Sequence, residues 1–276
     1  MYLTLTHAEP LQHLTNNRLV LVLAAGLMVF GLTGCAARSE AWSYAQAVWA
    51  GQSVSVAVEA TAQGKGLNPQ FRYLHVQADD GPAAVMVLGY AEDQAPANYW
   101  RTWYSAQQEH LQLVTGRIAT TSGLATDWAQ TQWPQGRPTW ASAVALAHGE
   151  HLATFSRLTN RYLQADALDP ERQLLSYGIV DNLTVSRVAF EDVPQFALPR
   201  VGSEQRWSKL IWLREGSTAQ NWAHSLPDAW YAFDPQGIPQ LLADRLTQGD
   251  WTYSFQCLNQ FKCLHMHQWP LSWAQQ

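Results

Sequence analysis

The chain has 276 residues and a formal net charge of −5, and only 14% of its residues are charged, against about 25% in an average soluble protein. A mildly acidic chain with no basic cluster excludes a nucleic-acid backbone as the main partner, because such surfaces need grouped Lys and Arg to displace counterions. Fourteen Trp and ten Tyr point instead to aromatic cores, or to faces that stack on sugar rings while one edge hydrogen-bonds.

The N-terminal segment has the order of a secretory signal. Arg18 is its one Lys or Arg, Leu19 to Phe30 is aliphatic, and small residues follow. A run of this length falls short of the roughly 20 residues that a helix needs to cross a bilayer. It ends on Leu32-Thr33-Gly34-Cys35, which resembles the bacterial lipobox. That resemblance implies removal of residues 1–34 and acylation of Cys35. It also implies anchoring by outer-membrane lipid, because two acyl chains suffice for a stable anchor. Ala36 and Ala37 follow the cysteine where Asp would signal inner-membrane retention, so the expected location is the outer membrane, facing the periplasm.

Residues 35–276 read as a single β-rich domain. A short amphipathic helix is expected over Ser39 to Ala50, with Trp42, Ala45, Val48 and Trp49 on one face. From Ser53 to Glu59 the period switches to two, the alternation of a half-buried strand. Phe71 to Ala78 and Ala83 to Tyr90 form a strand pair across the turn Asp79-Asp80-Gly81-Pro82. Tyr99 to Tyr104 is an aromatic strand, and Leu111 to Thr121 is two strands folded near Gly116. Thr126 to Thr139, rich in Trp, Pro and Gly, reads as an irregular connection. Strands are expected over Glu150–Leu163, Gln173–Phe190, Arg206–Arg214, Ala229–Phe233 and Ile238–Leu246, and a final hairpin over Trp251–Cys257 and Cys263–Trp269. Strands joined by short turns, without alternating helices, predict antiparallel sheets in a sandwich or partly open barrel. A faint echo between Trp103-Tyr104-Ser105 and Trp230-Tyr231-Ala232 is consistent with two related β halves, about 35–135 and 136–276.

Three blocks together resemble the YjbF family of bacterial lipoproteins, associated with group 4 capsule and related exopolysaccharide formation. They are the lipobox; Tyr73-Leu74-His75-Val76 with Val85-Met86-Val87-Leu88-Gly89-Tyr90 and Gly116-Arg117-Ile118; and Trp230-Tyr231-Ala232-Phe233-Asp234-Pro235-Gln236-Gly237. The resemblance implies a β-rich accessory lipoprotein working beside an outer-membrane β-barrel protein of the same export system. It implies no catalytic residue.

Outside those blocks, two constellations stand out. Once Cys35 is acylated, Cys257 and Cys263 are the remaining cysteines, at the two ends of a hairpin loop in an oxidising compartment, and a disulfide between them is expected. Cys263, His265 and His267 alternate, but their spacing matches no zinc signature, so no metal is assigned and solvated edge-strand histidines are expected. Trp128 and Trp133 of the irregular connection, with Trp140 just after it, are the candidate glycan-stacking residues. No phosphate loop, dinucleotide fingerprint or nucleophile motif occurs, so no cofactor is expected. Of the carboxylates Asp79, Asp80, Glu92, Asp93, Asp234, Asp244 and Asp250, Asp80, Asp234 and Asp250 read as turn caps, and glycoside hydrolysis is not expected. The expected function is non-catalytic assistance of capsule or exopolysaccharide export, through a partner protein or a glycan. The alternative is a carrier of a lipid or other hydrophobe in a barrel cavity.

Overall fold

The computed structural model describes residues 71–79, 83–94, 98–124, 126–134, 136, 138–162, 176–200, 202–235 and 251–269. The leader, Cys35, the helix over 39–50 and the strands over 53–59 and 238–246 lie outside the described residues.

Twelve strands are described: β1 Tyr73–Ala78, β2 Ala83–Gln94, β3 Asn98–Tyr104, β4 His110–Val114, β5 Arg117–Ser122, β6 Trp128–Gln132, β7 Phe155–Tyr162, β8 Ser176–Val188, β9 Ile211–Ala219, β10 Ala229–Phe233, β11 Tyr253–Cys257 and β12 Cys263–Trp269. They form one antiparallel sheet in the order β5-β4-β3-β2-β1-β12-β11-β10-β9-β8-β7-β6. Apart from the β1–β12 junction, every pairing in the sheet joins strands that are neighbours in sequence, so the sheet is an up-and-down meander that curls into a nearly closed barrel, with β5 and β6 at its two unpaired ends. Of the expected sandwich or partly open barrel, the barrel is found.

The local reasons are visible in the chain. The β4–β5 turn is Thr115-Gly116, with φ of 48° and 78°, the paired positive angles that a two-residue hairpin needs to match strand twist. The expected irregular connection over Thr126–Thr139 contains β6, and it runs into a short helix, α1 (Trp140–Val144), capped by the Thr139 hydroxyl on the Ser142 amide. The Trp-Ala-Gln-Thr-Gln sequence of β6 hid the strand because only Trp128 and Thr131 are buried. The strand expected over Arg206–Arg214 is instead a turn of helix, α2 (Glu204–Trp207), followed by β9.

Strand alternation separates two apolar layers. The inner one fills the barrel with Leu74, Met86, Trp103, Leu113, Trp128, Trp140, Leu213, Tyr231, Phe233 and Trp251. The outer one lies on β9–β12, where Trp212, Trp230, Tyr253 and Phe255 pack under Val193 and Ala197. Two short 3₁₀ turns, Phe190–Asp192 and Gln195–Ala197, carry that covering segment. Cys257 and Cys263 are directly opposed in the β11–β12 ladder and joined by a disulfide in this outer layer.

At the seam, β5 and β6 are the two ends of the sheet order, and side chains stand where a ladder would be. A bulge between Gln112 and Leu113 leaves Ala119 of β5 unpaired, and its carbonyl accepts the Thr131 hydroxyl of β6 at 2.7 Å. Gln256 of β11 reaches the same strand from across the barrel. Its Oε1 accepts the Ile118 amide at 3.0 Å, and its Nε2 donates to the Gly116 carbonyl at 2.9 Å.

Replacing Gln256 by Leu strands the buried Ile118 amide, so unfolding in denaturant should show a loss of about 1–3 kcal/mol. A loss below a few tenths of that would mean the seam is satisfied by other groups. Reducing the Cys257–Cys263 bond removes a short-loop constraint of about 2 kcal/mol in the chain-entropy view. Intact mass without reductant should be two hydrogens lighter than with it, and two free thiols would refute the bond.

Candidate functional site

The inward positions of β7, β8 and β9 carry charges into the barrel. Arg157 and Arg161 of β7 both bond the Asp181 carboxylate of β8, Arg157 at 3.0 Å, and Ser217 of β9 donates to its other oxygen at 3.3 Å. Arg117 of β5 pairs with Glu215 of β9 at 2.7 Å, and the Tyr231 hydroxyl donates to the same carboxylate at 3.4 Å. Registers place Arg157 opposite Asp181 and Leu213 opposite Tyr231, so the partners share the inner face. Burial first, and then the neighbouring Glu215 charge, drive the Tyr231 hydroxyl well above its ordinary pKa. Burial also lowers Arg161 to about 10, against the pull of Asp181 and with the push of Arg157.

Trp128 and Trp140 are part of this interior. Arg117 lies 3.8 Å over the Trp140 ring, and Arg157 and Arg161 lie 5.1 and 5.0 Å over Trp128. Their indole N–H groups donate to the Leu258 and Thr115 carbonyls, at 2.9 Å from Trp128 and 2.8 Å from Trp140. With 1% and 0% exposure, neither offers a face to a glycan. This corrects the expectation of exposed stacking residues. Trp133 is half-buried against the inner layer.

Exposed aromatic side chains are Tyr90, Phe196, Trp222 and Phe261 among the described residues, and the last two share one cleft. At one end of the barrel a cleft of about 340 Å³ is lined by Thr126, Arg161, Ile179, Trp222, His224, Ser225, Leu226 and the β11–β12 loop residues 258–261. Trp222 is 39% and Phe261 75% exposed. The loop bearing Phe261 is fixed at its base by the Cys257–Cys263 bond. Asn259 Oδ1 accepts the Phe261 and Lys262 amides at 2.8 Å, and its Nδ2 donates to the Thr126 hydroxyl at 2.8 Å. An aromatic side chain held out on a pinned loop has little ordering entropy left to lose on contact. The sequence signal for it is the Asn and Phe between the cysteines of the Cys-Leu-Asn-Gln-Phe-Lys-Cys loop.

The histidines of β12 are not solvated. β12 lies between β1 and β11, and the outer layer covers its outward face. His267 is within 5.8 Å of His75 and 4.8 Å of Tyr253, centroid to centroid. Tyr253 Oη lies 2.8 Å from both the Ala197 carbonyl and His265 Nδ1, while His265 Nε2 is 3.0 Å from Asp79, which pairs with Arg200. Burial lowers the pKa of all three imidazoles, His267 most, with His75 and His265 adding repulsion there. Among the described residues, no group of three or more His, Cys, Asp or Glu is placed to hold a metal.

Residues 47–173 match the family described as group 4 capsule polysaccharide lipoprotein gfcB, YjbF, which bears out the family resemblance; of its three blocks, the one running from Tyr73 to Ile118 lies within the match. A solved structure described as the hypothetical lipoprotein YmcC from Escherichia coli (K12) is similar in fold, with a TM-score of 0.52 and 15% identity over 82% of this chain and 93% of that one. Among curated proteins, no match to the chain was found.

The buried imidazoles give a pH signature. Folded, they resist protonation; unfolded, they take up protons near pH 6.5. Their contribution to stability is therefore complete above that value and declines as pH falls below it. Thermal midpoints measured from about pH 7.5 to pH 5 should fall, and His267→Gln should flatten that slope whatever it does to the midpoint at neutral pH. An unchanged slope would mean that these rings titrate freely in the fold.

Proposed function

We propose, from the premise that the chain belongs through residues 47–173 to the YjbF family of group 4 capsule polysaccharide lipoproteins, that it is a non-catalytic, outer-membrane-anchored lipoprotein that assists capsule or exopolysaccharide export. In this reading Cys35 is acylated, the barrel faces the periplasm, and the partners are an outer-membrane β-barrel protein, the polysaccharide, or both. The family match is the observation that carries it.

The chemistry of the site supports binding rather than turnover. The buried carboxylates Asp181 and Glu215 are each held by guanidinium groups, so neither is free to act as a general acid or base on a sugar. The described interior is filled by large side chains, and the gap beside Glu215 and Tyr231 measures about 10 Å³, the room of one water. That filling argues against the hydrophobe carrier.

Cells fed a tagged fatty acid should label the protein and retain it in the outer-membrane fraction, and Cys35→Ala should lose the label and leave that fraction. An unlabelled wild-type protein in the cytoplasm would overturn the reading.

A further inference from the structure

We infer that the cleft at the β11–β12 end of the barrel binds an acidic saccharide, its ring laid against Phe261 and Trp222 and its carboxylate drawn to the guanidinium of Arg161. The inference rests on the proposed export role and adds to it a ligand class and a site.

Charge is the first argument. Arg117, Arg157 and Arg161 face Asp181 and Glu215 in the interior, so among these buried pairs one positive charge has no counterion. The excess falls on the Arg157–Asp181–Arg161 group, where one carboxylate serves two guanidinium ions. Arg161 is 98% buried, lines the cleft, and its Nε finds no partner among the described residues. An excess cation in a dry setting is costly unless an anion completes it, and the cleft is open to supply one.

Shape and surface chemistry narrow the anion. The volume of about 340 Å³ falls at the low end of the roughly 300–1,000 Å³ range of small-molecule sites. It suits one or two sugar rings rather than a protein face. Phe261 and Trp222 provide exposed aromatic surface, and Gln260, His224 and Ser225 provide hydrogen-bonding groups on the rim. An aromatic platform with amides and hydroxyls around it is the recognition set for a ring with one apolar face and a polar edge. The disulfide and the Asn259 turn hold that platform in place before any ligand arrives.

The test compares trigalacturonate with neutral galactotriose by calorimetry, on the full protein purified in detergent. The acidic trimer should bind, more weakly as salt is raised, and the neutral trimer should bind at least about tenfold more weakly. Phe261→Ala, an exposed substitution that leaves the fold intact, should weaken trigalacturonate by about tenfold. Because Arg161 is buried, Arg161→Gln is informative only beside a thermal scan, and in folded protein it should abolish the preference for the acid. Equal binding of the two trimers overturns the inference, as does binding indifferent to Phe261→Ala. Failure of both trimers to bind, in a protein still labelled and held at the outer membrane, overturns it while leaving the export role intact. Loss of a captured protein partner on Phe261→Ala, without sugar binding, assigns the cleft to protein docking and overturns it too.

Discussion

The rest of the structure depends on how a barrel that does not close by a ladder satisfies the strand at its seam. β5 is buried although it stands at the end of the sheet order, and an unpaired backbone group in such a place costs as much as a lost hydrogen bond. Side chains make up the difference. The Gly116 carbonyl accepts from both Gln256 Nε2 and Trp251 Nε1, the Ile118 amide goes to Gln256, the Ala119 carbonyl to Thr131, and the Thr115 carbonyl to Trp140. The unusual Trp content finds a use here. An indole fills barrel volume and brings one donor, so it packs and closes the backbone account in a single residue.

Filling the barrel this way dries its interior, and the dryness governs the charges. A guanidinium among indoles must be paired, which is why Asp181 stands opposite Arg157 in the β7–β8 ladder and Glu215 of β9 reaches Arg117 of the non-adjacent β5. The Trp128 and Trp140 rings beneath the guanidinium planes add cation–π attraction that grows as water leaves. The arrangement is asymmetric along the barrel. Arg117 is enclosed, whereas Arg161 belongs to a cleft wall, so among the described buried pairs the Arg157–Asp181–Arg161 group, with two guanidinium ions on one carboxylate, reaches the cleft.

The strands were legible because they obey period two and are punctuated by Gly, Pro and Asp. Both strands of the final hairpin, the aromatic β3 and the fold at Gly116 could be read off directly. β6 was not legible, because its exposed residues are Ala129, Gln130 and Gln132 and its buried ones are two, spaced by a bulge between Trp128 and Gln130. The expectation of exposed stacking faces on Trp128 and Trp140 fails for a related reason. Trp in a Pro- and Gly-rich stretch reads as surface, yet Trp128 and Trp140 are drawn inward by carbonyls that composition does not reveal. Likewise, the histidines of the last strand look solvated if that strand is an edge. The β1–β12 pairing, a contact between the two ends of the described chain, removes that edge. Local pattern carries the elements; the burial of a given face depends on who the neighbour is.

The last hairpin joins these separate features mechanically. Its inward Gln256 holds the seam, its outward Cys257 and Cys263 sit in the outer layer, its tip carries Phe261 into the cleft, its outward His267 packs against His75 of β1, and its outward His265 meets Tyr253, whose hydroxyl reaches the Ala197 carbonyl of the covering segment. Trp128 donates to Leu258 at the base of the same tip, so the ring beneath Arg157 and Arg161 is tied to the loop that displays Phe261. A shift of the loop would therefore move the indole under the excess charge, and a change at the seam would reach the cleft within one hairpin. Six residues of separation closed by a disulfide make that lever short and stiff. A stiff lever favours a binding platform set by the fold over one that forms around its ligand.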